Sequence, residues 1–207
     1  MPVRARDVLG SGSALAGILP GFRPREGQLA MAEAVEAALD GERPLLVEAG
    51  TGTGKTLAYL VPAILSGRKV VVSTATRALQ EQIYFKDLPL VAEILGKHGI
   101  RFRAALMKGL SNYVCKRRMR ESLGLGSATG ALFRLKRWAD ESEFGDRSEL
   151  ADLAEDDPSW AAVQSSTDTR IGAECTYFDE CFVTRMKRDA EDADLVVVNH
   201  HLFCADL

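Results

Sequence analysis

Three features of this 207-residue sequence predict an α/β fold with a parallel, doubly wound sheet. Short apolar runs alternate with helical periodicities through the first half of the chain. One such run passes through the glycine-rich stretch Glu48-Ala49-Gly50-Thr51-Gly52-Thr53-Gly54-Lys55-Thr56 into a helical pattern. From Lys108 the strand signals give way to short helical and polar segments, and a strong apolar strand returns at Asp194–Asn199. The pattern is that of a parallel sheet interrupted by a small, mainly helical insert.

The glycine-rich stretch carries the chemistry. Leu45-Leu46-Val47 before it reads as a buried strand, and Leu57-Ala58-Tyr59-Leu60-Val61 after it opens a helix. Strand, flexible loop, Lys-Thr and helix form the order of a P-loop. Glycines let backbone N–H groups curve inward onto phosphate oxygens, and the helix N-terminus adds partial positive charge. Lys55 is expected to reach the β- and γ-phosphates of ATP, and the Thr56 hydroxyl to ligate Mg²⁺. The strict pattern has glycine where this chain has Ala49.

Composition sets the limits. With 46% hydrophobic residues the chain can bury a real core. A formal net charge of −3 gives no global signal for nucleic acid, so binding must rest on local patches. No apolar run approaches the roughly 20 residues that a membrane span needs. Arg4 and Arg6 before Ala14–Leu19 faintly imitate a secretory signal, but Asp7 and the Gly/Ser interruptions weaken it, and a cytoplasmic protein is expected. In that setting Cys115, Cys175, Cys181 and Cys204 read as free thiols or metal ligands rather than disulfides.

Residues 1–20 are Gly/Ser-rich and weakly apolar, closing at Pro20-Gly21. Leu29, Met31, Ala32, Val35 and Leu39 then space a helix from Arg25 to Asp40. Gln28, at its start, offers an amide that matches the adenine edge, or is simply a solvated helix-start glutamine. Lys69–Ser73 reads as a second buried strand, Ala78–Phe85 as a helix, Pro89–Gly96 as another, and Ile100–Met107 as a third strand. Ser73, Thr74 and Thr76 could bind nucleic-acid phosphates or cap a helix.

Past Lys108, Lys116-Arg117-Arg118-Met119-Arg120 and Leu132–Trp138 are basic runs interleaved with Tyr113, Phe133 and Trp138. They suit either base stacking along a single strand or the charged faces of a helical insert. Asp140–Asp157 is acidic and expected to be solvated. Three of the thiols, Cys115, Cys175 and Cys181, suggest a metal or iron–sulfur site, although no Cys-x-x-Cys pair occurs. The apolar strand ending at Asn199-His200-His201 lacks an acidic pair, so it is not the Mg²⁺-binding strand it resembles in hydrophobicity.

Phe22, Arg25 and Gln28, the loop Glu48–Thr56, and Ser73–Gln82 together resemble the DinG family of superfamily 2 DNA helicases, relatives of the xeroderma pigmentosum group D helicase. Lys108–Cys115 and Val196–Phe203 extend the resemblance, which lies nearest the YoaA branch. It implies a RecA-like motor domain split as residues 1–107 and 191–207, around an iron–sulfur-type insert at 108–190. It also implies an ATP-driven helicase moving 5′ to 3′ on single-stranded or forked DNA, in repair or damage tolerance, alongside the replication machinery. Gln28 then reads adenine, Ala49 becomes expected, and the nucleotide site comprises Gln28, Ala49, Gly50, Thr51, Gly52, Thr53, Gly54, Lys55 and Thr56. Ser73–Gln82 touches the DNA backbone. Two other readings stand beside it: a different P-loop enzyme such as a nucleotide kinase, and a non-catalytic nucleotide- or DNA-binding module.

The sequence departs from the family twice. The family's [4Fe–4S] cluster uses four cysteines; Cys115, Cys175 and Cys181 match three, and Arg170 stands where the fourth is expected. A guanidinium stays protonated and offers no lone pair, so either an outside ligand completes the cluster or the site is vestigial. The family's Asp-Glu-Ala-His motif, which holds Mg²⁺ and orients water, is expected after Asn199-His200-His201, and the chain reaches Leu207 without it. An N-terminal portion, inactive by itself, is the expectation.

Overall fold

A computed structural model describes residues 3–19, 21–124, 129–154 and 156–205. Pro20, residues 125–128 of the insert, Glu155 of the acidic run and Leu207 lie outside the described residues. In chain order the elements begin with α1 (Ala5–Leu9), α2 (Ala14–Ile18), α3 (Glu26–Asp40), α4 (Lys55–Leu65) and β1 (Val70–Thr74). α5 (Arg77–Gln82), α6 (Leu88–Gly96) and β2 (Ala104–Leu106) follow. Then come α7 (Lys116–Gly124), α8 (Gly130–Glu141), α9 (Pro158–Val163), α10 (Phe182–Asp192), β3 (Leu195–Asn199) and α11 (His200–Ala205). The chain divides into two compact units, residues 1–106 with 192–207, and residues 107–191.

The first unit is built on a parallel sheet of order β1-β3-β2. β3 is the centre: Val70 to Thr74 pair with Leu195 to Asn199, and Ala104 to Leu106 pair with Leu195 to Val197. Its residues Leu195 to Val198 are all buried, which is why the run is continuously apolar rather than alternating. The third strand is shorter than expected; Ile100–Arg103 carries no ladder, and pairing begins only at Ala104. Asp194 fixes its entry, taking the Arg103 N–H on Oδ2 at 2.7 Å.

One expectation fails in this unit. Leu45-Leu46-Val47 is not a buried strand: residues 43–50 form no ladder, and Leu46 is 98% exposed. An apolar run buries itself only against a partner, and no described strand pairs with it. Residues 3–19 hold α1 and α2. Ala5, Val8 and Leu9 fall at i, i+3 and i+4, and with Leu15 they are buried against Ala32 of α3, Ala58, Leu60 and Val61 of α4, and Val91, Ile94 and Leu95 of α6.

Between α5 and α6 the helix widens into a π turn, Ile83–Asp87, where the Leu88 N–H reaches back to the Ile83 carbonyl. Pro89 explains it. Proline has no N–H for the Phe85 carbonyl and its ring would collide with it in an ordinary helix. The turn leaves Asp87 with a buried, unpartnered Oδ2. Burial raises its pKa, against a hydrogen bond from Gln82 and the charge of Lys86.

The second unit has its own core of Tyr113, Val114, Met119, Leu132, Leu135, Ala139, Trp160, Val163, Phe182, Val183 and Met186. Its polar centre is an ion pair. Lys108 Nζ lies 2.5 Å from Asp146 Oδ2, with side chains only 2% and 6% exposed, and donates to Ser148 Oγ at 3.0 Å. Asp146 Oδ1 also accepts the Ser148 N–H at 2.9 Å. The acidic run is therefore not wholly solvated; its Asp146 is the buried counter-charge of Lys108. Gly145, at φ +63°, sits so close to the Phe182 ring that a Cβ there would overlap it.

A buried ion that loses its partner is strongly destabilising. Asp146→Ala should cost about 3–5 kcal/mol in urea unfolding. For Asp87 the sign is opposite. A carboxyl whose folded pKa is raised supports folding below its unfolded pKa and loses that support as pH rises through the folded value. Asp87→Asn should therefore raise the melting temperature at pH 7, and the gain should shrink on acidification toward pH 4.

Candidate nucleotide site and neighbouring polar groups

The loop between residue 48 and α4 turns on two left-handed glycines, Gly52 at φ +77° and Gly54 at φ +82°. Gly54 is the cap of α4, so Lys55 and Thr56 begin the helix with its first N–H groups facing the loop. Lys55 Nζ folds back over the loop, donating to the Ala49 carbonyl at 2.9 Å and the Gly50 carbonyl at 2.6 Å. Thr53 Oγ1 donates to the Gly50 carbonyl at 3.0 Å. Thr51 is exposed at the turn. Thr56 shares a side-chain hydrogen bond with Tyr59; burial raises the Tyr59 pKa and the Thr56 bond opposes it.

The start of α3 locks onto this loop. Gln28, 4% exposed, donates through Nε2 to the Gly54 carbonyl at 3.0 Å. The Arg25 guanidinium donates to the Gly52 carbonyl. A Cβ on Gly54 would collide with the Gln28 amide. Gln28 is thus a buried, bonded residue rather than a solvated one. Arg25 was legible only as part of a motif; nothing in its own position signalled a loop carbonyl.

A second polar group gathers at the C-terminal ends of β1 and β3. Ser73 Oγ and His200 Nδ1 are 2.7 Å apart. Thr74, buried, donates to the Thr76 carbonyl at 3.1 Å, and Thr76 Oγ1 accepts the Leu79 N–H as the cap of α5. Gln80, fully buried, donates to the Val197 carbonyl at 3.0 Å. Asn199 Oδ1 caps α11 through the Leu202 N–H at 2.7 Å. The threonine hydroxyls therefore serve the backbone, which is the capping alternative rather than the phosphate-binding one.

Comparison with known proteins places relatives beside this chain. Residues 29–123 match the DEAD/DEAH box helicase family. The chain is 44% identical over 198 residues to the ATP-dependent DNA helicase YoaA of Escherichia coli (strain K12), covering 93% of this chain and 31% of that protein. It is 41% identical over 194 residues to the YoaA helicase of Haemophilus influenzae, covering 91% of this chain and 30% of that protein. It is 35% identical over 214 residues to the ATP-dependent DNA helicase DinG of Shigella flexneri, covering 90% and 29%. The chain spans about a third of the length of these curated relatives. Its fold, a three-stranded parallel sheet with helices, is a partial RecA-like α/β domain.

The insert looks different from a stacking surface. Tyr113 is 4% exposed, and its hydroxyl accepts the Lys108 N–H at 3.3 Å. Trp138 packs on Trp160 with ring centroids 6.0 Å apart, and its Nε1 donates to Glu149. Of the three aromatics only Phe133 is exposed, at 60%. Arg118 donates to the carbonyls of Gln164 and Ala161, and Arg117 to that of Thr169. Tyr113, Trp138, Arg117 and Arg118 thus help hold the insert together, because polar atoms inside a small, loop-rich unit need partners, whereas Phe133, Arg134, Lys136 and Arg137 are exposed.

Cys115, Cys175 and Cys181 line one small cavity of about 30 Å³ with Arg117, Arg170 and Thr184. Cys115 precedes α7, and its carbonyl takes the Met119 N–H; Cys181 precedes α10 in the same way, through Arg185. Arg170 lies against the thiol, with Nη1 3.5 Å from Cys181 Sγ and Nη2 3.5 Å from Thr184 Oγ1. Burial pushes the Cys181 thiol up, but the hydrogen bonds from Thr184 and the Arg170 guanidinium outweigh it and leave its pKa lowered. Cys204 is exposed on α11, in the other unit. Among the described residues no group of three His, Cys, Asp or Glu side chains is arranged to hold a metal ion.

Gly54→Ala should retain helical circular dichroism yet weaken binding of a fluorescent ATP analogue by more than tenfold, since both the left-handed turn and the Gln28 contact are lost.

Proposed function

We propose that this chain is the nucleotide-binding part of an ATP-dependent DNA helicase. The observation that carries the reading is the direct hydrogen bonding of Gln28 and Arg25 to the carbonyls of the loop that Lys55 closes. A base-reading amide and a phosphate-holding loop then form one contact set, where a nucleotide kinase would need no such glutamine. ATP with Mg²⁺ is the proposed ligand. Lys55 would exchange the Ala49 and Gly50 carbonyls for β- and γ-phosphate oxygens, and Thr56 would exchange Tyr59 for the metal. Backbone N–H groups of Gly50, Thr51, Gly52, Thr53 and Gly54 would cradle the phosphates, and Ala49 closes the loop with no side chain in the way. Gln28 would turn its amide toward adenine while its neighbours keep it beside the loop.

In this reading residues 1–107 and 191–207 belong to one motor domain and 108–190 to its insert. The segment Ser73–Gln82 meets the backbone of single-stranded or forked DNA through the exposed side of α5, the threonine hydroxyls being committed to the helix. Movement 5′ to 3′, a role in repair or damage tolerance, work beside the replication machinery and a cytoplasmic location rest on the resemblance. No helix among the described residues is long and apolar enough to cross a membrane. No Asp-Glu-x-His sequence occurs in the 207 residues. Without that Mg²⁺ and water-orienting group the chain by itself should hold ATP without hydrolysing it.

Equilibrium binding of a fluorescent ATP analogue with Mg²⁺ tests the reading. Lys55→Ala should weaken binding at least tenfold, and Gln28→Ala should erase the preference for ATP over GTP. A chain that binds neither nucleotide sinks the proposal. Robust hydrolysis stimulated by single-stranded DNA would keep the helicase assignment and overturn the expected inactivity.

A further inference from the structure

We infer that Arg170 takes the place of a metal in the thiol pocket of residues 107–191, making that unit a metal-free module. The cluster implied by the resemblance needs four thiolates converging on iron, with room between them for iron and sulfide. The residues present do not fit it. The pocket offers three thiols, Cys115, Cys175 and Cys181, one short of the four that such a cluster takes. Into the same pocket projects a permanent cation. The Arg170 guanidinium is within 3.5 Å of Cys181 Sγ and of Thr184 Oγ1. A guanidinium has five N–H donors and no lone pair, so it can occupy a ligand's position without supplying a bond to a metal. Its fixed charge also repels an incoming metal cation.

What a cluster would contribute to the fold is supplied here by hydrogen bonds and ion pairs. Arg170 ties residues 169–171 to the start of α10 through Cys181 and Thr184. Arg117 ties α7 to the Thr169 carbonyl from the other side. Lys116 reaches Glu180 at 2.8 Å, next to Cys181. The Lys116–Glu180 pair joins the residues next to Cys115 and Cys181, and Arg117 and Arg170 each tie one of those segments to residues 169–171, upstream of Cys175; joining such segments is the work metal ligation does in small loop-rich units. The inference does not depend on the nucleotide reading, since every residue it uses lies in the second unit.

The test is iron and acid-labile sulfide analysis of the full 207-residue chain purified without oxygen. The unsubstituted chain should be colourless, with far less than one iron per chain, and its melting temperature should not move on adding a strong chelator. Arg170→Cys, reconstituted with iron and sulfide under the same conditions, should turn brown and take up about four irons per chain. Stoichiometric iron and sulfide in the unsubstituted chain would overturn the inference. So would an Arg170→Cys chain that is folded by circular dichroism yet takes up none. Should that variant fail to fold, the iron content of the unsubstituted chain still decides.

Discussion

The first unit depends on a strand that arrives last. β1 and β2 are not neighbours in the sheet; among the described residues the strand partner of each is β3, whose residues lie about 90 to 125 positions further along the chain. Until Leu195–Asn199 is in place, the backbone N–H and C=O groups of Val70–Thr74 and Ala104–Leu106 have no ladder. β3 also supplies carbonyls to side chains on neighbouring elements, Val197 to Gln80 and Val198 to Thr74. The closing of the sheet therefore also sets α5. Everything between β2 and β3 must return the chain to one register, and residues 107–191 do so as a unit with a separate core.

That separate core is organised by charge as much as by apolar packing. Lys108 and Asp146 are nearly inaccessible to water, and both are bonded on more than one side. A buried pair of this kind is neutral at best against an apolar replacement, but it specifies one arrangement because any other leaves an ion unpaired. Arg117, Arg118 and Arg170 likewise place terminal guanidinium donors on carbonyls, a carboxylate, a hydroxyl and a thiol of the unit itself, although Arg117 Nε is buried without a partner.

Sequence patterns revealed what depends on local order. The loop-to-helix step at Gly54-Lys55, the helix of residues 26–40 and the apolar strand at 195–199 follow from periodicity and glycine placement. The same signals misplaced whatever needed a distant partner. Leu45–Val47 has the composition of a core strand, but composition does not name the strand that covers it. Asp146 was hidden in an acidic stretch because its cation sits 38 residues upstream. That Arg117 and Arg118 are spent on carbonyls of the insert was equally hidden, because a sequence shows charge without showing which carbonyl receives it. At the nucleotide site, Lys55 was visible from its motif, whereas the link from Arg25 and Gln28 to loop carbonyls required coordinates.

The uncovered tripeptide Leu45-Leu46-Val47 also bears on how this polypeptide behaves in solution. It is apolar and without proline, and elsewhere in the same unit the end strand β1 carries Val71 at 46% exposure. Unpaired strand edges with apolar side chains template pairing by other chains, and a net charge of only −3 gives weak repulsion between copies. By this argument the edge and the tripeptide are the places where copies of the isolated polypeptide are expected to pair.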